Sequence, residues 1–62
     1  MKDIRELDTI ISKNGIGYAV ENAGGVYINA VEIEPPHRHR TFDPDDLECM
    51  DASDGIWQEM EK

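Results

Sequence analysis

The chain has a single cysteine, Cys49, among 62 residues. One thiol closes no internal disulfide and is too few for a thiolate zinc site, so neither of the usual staples of mini-proteins is available. Cationic side chains are also scarce, with six Lys and Arg against fourteen Asp and Glu and a formal net charge of −8. Binding a phosphate backbone or an anionic lipid surface needs clustered Lys and Arg, so nucleic acid and membranes are excluded as direct partners. No apolar run approaches the roughly 18 residues that cross a bilayer. Met1-Lys2-Asp3-Ile4-Arg5-Glu6 is charged where a secretory signal is apolar, which predicts a cytoplasmic protein.

Hydrophobic residues make up 39% of the chain and charged residues 32%, a balance that suits one small globular domain over residues 1–62. A domain of this size buries only about 60% of the surface of its unfolded chain, so stability rests on packing or self-association. Residues 53–62 are read as a docked or flexible tail.

Between Asp3 and Lys13 the apolar positions Ile4, Leu7, Ile10 and Ile11 fall on one helical arc. Asp3 with Glu6 resembles a capping box, and Asn14-Gly15 supplies a left-handed stop, so an N-terminal helix is expected. The competing reading is a strand over residues 7–12, because Thr9-Ile10-Ile11-Ser12 are poor helix formers and Asn14-Gly15 is also a hairpin turn. Ile16, Tyr18 and Val20 alternate with small or polar residues, and Val26 to Glu34 is rich in β-branched side chains; together they predict an antiparallel hairpin. The apolar face changes within the second segment, implying a bulge near Asn29 or burial on both faces.

Pro35-Pro36 ends that strand, and residues 37–42 suit a third, edge strand. Asp43-Pro44-Asp45-Asp46 reads as a helix start running through Met50, and Ile56, Trp57 and Met60 recur at helical spacing. The resulting plan is α+β: an N-terminal helix, a β-hairpin and short C-terminal helices. With residues 7–12 as a strand, the alternative is a small SH3-like β-barrel.

His37 and His39 share one face of an extended segment and begin a metal site or a pH switch, with Cys49, Asp43 and Asp46 as further donors. Two imidazoles alone hold no zinc, and the plainer reading is an exposed edge whose Arg38 and Arg40 pair with Asp43, Asp45 and Asp46. Cys49 lies between Glu48 and Asp51, which disfavour a thiolate, and reads as a buried small residue beside Leu47 and Met50. Thr41, Ser53 and Ser12 have no nucleophile elbow, and Gly15-x-Gly17 and Gly24-Gly25 lack the order of a phosphate loop. No enzyme, cofactor or metal is therefore expected.

What remains is surface. The expected function is a small acidic regulatory or inhibitory module that binds a basic protein, masking of a nucleic-acid site being one form of that role. The residues singled out for the partner are Asp43, Asp45, Asp46, Glu48, Trp57 and Glu59. Trp57 is either a core clamp or an anchor for the partner. The alternative function is a structural homo-oligomer or small subunit, with Val26 to Ile33 completing a sheet across the interface.

Overall fold

A computed structural model describes residues 4–51 and 53–60. Six strands form one mixed sheet: β1 (Thr9–Ile11), β2 (Gly17–Asn22), β3 (Ile28–Glu32), β4 (His39–Phe42), β5 (Leu47–Asp51) and β6 (Ile56–Glu59). Their order across the sheet is β4-β3-β2-β1-β6-β5, antiparallel throughout except for the parallel pair β1 and β6. The α+β plan is therefore overturned: neither the N-terminal helix nor the C-terminal helices exist among the described residues, and the fold is all-β with one 3-10 turn at Pro44–Asp46.

The first helix fails at two points. Leu7 takes a left-handed φ of 73°, which no helix accommodates, and the β-branched run Thr9-Ile10-Ile11 pairs with Ala19-Tyr18-Gly17 instead. The apolar arc was a coincidence of spacing: Ile10 is fully buried, whereas Leu7 is 89% exposed. Asp3, read as the cap of that helix, lies outside the described residues. Asn14-Gly15 serves as the β1–β2 turn, where Gly15 has φ 85° and donates to the Ser12 carbonyl at 2.8 Å. At the other end, Asp43 caps only one turn, its Oδ1 accepting from the Asp45 N–H at 2.9 Å. Leu47 then leaves in extended geometry to pair with β6.

The expected hairpin corresponds to β2 and β3, and its irregularity lies in β2. Val20 faces Ala30 and Asn22 faces Asn29, so Glu21 is the extra residue. In β3 the inward face keeps its parity through Ile28 and Ala30, while Ile33 beyond the strand is 52% exposed.

A lone sheet buries an apolar face only by curling round itself. Alternate residues from the strands point inward: Ile10, Tyr18, Val20, Ile28, Ala30, Phe42, Leu47 and Trp57 form the core. Tyr18 and Phe42 meet edge to face with centroids 5.1 Å apart. A short connection carries the chain from β4 at one edge of the sheet order to β5 at the other, and the two edge strands are not paired with each other. Across the curl, Arg40 of the edge strand β4 reaches Glu59 of the interior strand β6.

The β5–β6 turn is held to the start of β1. Thr9 N–H donates to the Gly55 carbonyl at 2.8 Å, and Asp8 Oδ2 accepts from the Trp57 indole N–H at 3.0 Å. Gly55 has φ 64°, and a Cβ there would stand 2.9 Å from Asp8 Cγ; Gly15, also left-handed, has open space around it. Gly15→Ala should cost about 1 kcal/mol for the left-handed backbone alone. Gly55→Ala adds a clash with a hydrogen-bonded carboxylate and should cost about 2 kcal/mol or more. Urea melts of the two variants check the ranking, and equal losses would show that the Asp8 contact is slack.

Candidate functional site

Strand β5 is an edge on which Glu48, Cys49, Met50 and Asp51 are all exposed, Met50 by 57%. The expectation of a buried Cys49 on a helix is thus corrected: it is an exposed free thiol on an edge strand. Before β5 come Asp43 and Asp46, half-buried, and Asp45, exposed. At its end the Asp51 carboxylate accepts from the N–H groups of Ser53 at 3.0 Å and Asp54 at 3.2 Å, which folds the turn that carries Asp54. Asp43, Asp45, Asp46, Glu48, Asp51 and Asp54 thus lie along the 3-10 turn, β5 and the turn that follows.

The two other residues singled out for a partner, Trp57 and Glu59, point inward on β6 and are 6% and 8% exposed. Trp57 is a core ring tied to Asp8. Glu59 receives both terminal nitrogens of Arg40, at 3.2 and 2.5 Å, and the Lys13 backbone N–H at 3.2 Å. Burial works against its charge, yet the Arg40 and Lys13 hydrogen bonds outweigh it and hold its carboxyl below the ordinary value. For Arg40, burial likewise opposes the charge, and hydrogen bonding to Glu59 and then Tyr18 raises its pKa nonetheless. Arg40 also stands 4.3 Å from the centroid of the Phe42 ring. The expected pairing of Arg40 with Asp43, Asp45 or Asp46 gives way to this inward pair.

The sequence reading missed Asp51, Asp54 and a segregation of charge. Eight of the fourteen Asp and Glu fall within residues 43–62 with only one Lys, so almost the whole net charge belongs to the last third of the chain. Comparing the sign balance of the two parts would have found it.

The histidines diverge. His37, with φ 57°, has Nδ1 3.0 Å from the Glu32 carbonyl, whereas His39 Nδ1 is 2.9 Å from Glu21 Oε1. The His39–Glu21 pair is well exposed and worth little. Among the described residues no three His, Cys, Asp or Glu side chains converge as a metal site would need. The clefts are open surface features. One of about 320 Å³ lies between the β1–β2 turn and the end of β3, lined by Ile16, Glu32, Ile33 and Pro35. Another of about 410 Å³ lies beside Arg5, Asp8, Cys49 and Trp57, and its Asp8 is already engaged by Trp57 and by the Arg5 N–H at 3.0 Å.

No described helix is long and apolar enough to cross a membrane. Compared with protein-family models, curated proteins and solved structures, the chain matches none of them.

Proposed function

We propose that the chain is a cytoplasmic acidic binding module, regulatory or inhibitory, whose β5 side engages a basic protein. The observation that carries this is the carboxylate strip over residues 43–54, which contains no Lys or Arg. Such a strip steers a cationic surface into contact and repels nucleic acid, so covering a partner's nucleic-acid site is a natural form of the role. Trp57 and Glu59 support this surface from within, as core and latch.

The homo-oligomer reading is less well supported, because β3, the strand expected to pair across the interface, already has β2 and β4 on its two sides. The test is affinity capture with wild type and with the triple variant Asp45→Lys, Glu48→Lys, Asp51→Lys. Basic proteins should be retained at low salt, released at high salt and lost with the variant, since exposed charges are screened beyond about 8 Å at physiological ionic strength. Retention of nucleic acid, or of basic proteins equally by both chains, would overturn the reading.

A further inference from the structure

We propose that the outer edge of β5 takes up an extended Lys- or Arg-bearing segment of the partner as a seventh strand. The proposal rests on the acidic-strip reading and adds how the partner is held. β5 ends the sheet order, with β6 on its inner side and, among the described residues, no strand on its outer side. In an antiparallel ladder, successive residues turn their backbone groups alternately toward the neighbouring strand and away from it. The Asp46 carbonyl accepts from the Met60 N–H at 2.8 Å, so Asp46 faces β6 and Leu47 turns outward, its N–H donating to the Pro44 carbonyl. Glu48 then faces β6, and the N–H and C=O of Cys49 point past the edge.

Exposed edges are normally blunted by Lys, by Pro or by a covering loop. Leu47-Glu48-Cys49-Met50-Asp51 has neither Lys nor Pro, and its last four residues are exposed. Its protection is negative charge, which repels acidic strands, including a second copy of β5, but attracts cationic ones. The opposite edge, β4, does not compete for such a ligand, because it carries Arg40 and His39, is preceded by Arg38, and has no carboxylate of its own. Carboxylates stand at both ends of β5, Asp43 and Asp45 before it, Asp51 as its last residue and Asp54 after it. The site therefore suits a segment of about five to seven residues at roughly 3.4 Å each, with cations near both ends and aliphatic stems alongside Met50.

The probe is a capped seven-residue peptide of alternating lysine and valine, compared with two versions N-methylated on one or the other alternate set of amides. Methylation keeps the charge but removes the donors one edge of the peptide would offer, so no change to the protein is needed. With the full chain, amide NMR should show the unmodified peptide slowing hydrogen exchange at Cys49. One of the methylated versions should bind about tenfold more weakly or worse, given that each hydrogen bond contributes a factor of several. Equal binding by all three peptides overturns strand addition while leaving the acidic-strip reading in place. Failure of every peptide to bind even at low salt overturns both. Perturbations mapping to β4, or salt-sensitive self-association of the protein alone in sedimentation, would assign the edge to another ligand or to a second copy and overturn the proposal.

Discussion

Trp57→Ala is expected to unfold the chain at or only slightly above ambient temperature. The ring is 6% exposed, sits on β6 between β1 and β5, and is one of eight buried apolar side chains among the described residues. Truncating a buried aromatic costs about 3 to 5 kcal/mol, comparable to the whole stability of a domain this small. At roughly 4 to 8 °C for each kcal/mol, the melting temperature should fall by about 12 °C at the least. Trp57→Phe keeps most of the apolar area but loses the N–H bound by Asp8, and should cost about 1 to 2 kcal/mol. Circular dichroism melts check both, and tryptophan emission in the wild type should be blue-shifted and move red on denaturation. If Trp57→Ala melts within a few degrees of wild type, the ring is not the clamp that its burial implies.

The same position shows why the C-terminal segment was misread. Ile56, Trp57 and Met60 fit a helical stripe, yet the segment is a strand because Thr9 to Ile11 flanks it on one side and Leu47 to Asp51 on the other. Thr9 to Ile11 is remote in sequence, and pairing between remote segments overrides local propensity without leaving a periodicity to read, while Leu47 to Asp51 is close but carries a helix-start signal of its own. Where the information is local, the reading holds: Ile16 to Val20 alternates with period two and lies in and beside β2, paired with the β-branched segment that follows. Residues 7–12 fall between these cases. Their β-branching was visible, but the helical spacing of four apolar residues outweighed it, and one of the four, Leu7, contributes nothing to the core. Within the segment read as a docked or flexible tail, Ile56–Glu59 is an interior strand, so deleting residues 53–62 should abolish folding and not merely lower the melting point.

The acidic surface was legible for a different reason. Charge needs no partner to be counted, and Asp43, Asp45, Asp46 and Glu48 form an acidic run around a proline-led turn, with Asp45 and Glu48 exposed and Asp43 and Asp46 half-buried. Glu59 was not distinguishable from them by sequence. Its carboxylate is inward because β6 is a strand and Glu59 lies two residues beyond Trp57 on the same face. Its partner Arg40 likewise lies two residues before the buried Phe42, so both charges follow the parity of a core residue.

That pair supports the second large prediction, loss of stability in Glu59→Gln with a defined pH dependence. Glu59 is 8% exposed, while the Arg40 side chain is 37% exposed and keeps access to water. Removing one partner of a fully buried pair costs about 3 to 5 kcal/mol; because water can solvate the orphaned guanidinium, about 2 kcal/mol is expected here. The melting temperature should then fall by about 8 to 16 °C at neutral pH. The sign of the pH dependence follows from the direction of the Glu59 shift. Its carboxyl is held below the ordinary value in the folded state, so the pair's stabilisation is fully present above the unfolded value of about 4.3 and is lost as pH falls through the lower folded value. The gap between wild type and Glu59→Gln should be full at pH 6 to 7 and narrow as pH drops below about 4, since the wild type then carries a protonated carboxyl much like the amide. Comparing the two chains at each pH largely cancels the relief of self-repulsion as the other carboxylates protonate. A double replacement, Arg40→Leu with Glu59→Leu, should recover part of the loss, because no charge is then left without its partner. Urea melts from pH 7 to pH 3 decide the matter: a gap that stays constant over that range, or is absent at pH 7, would mean the latch closes the sheet by shape alone and not by charge.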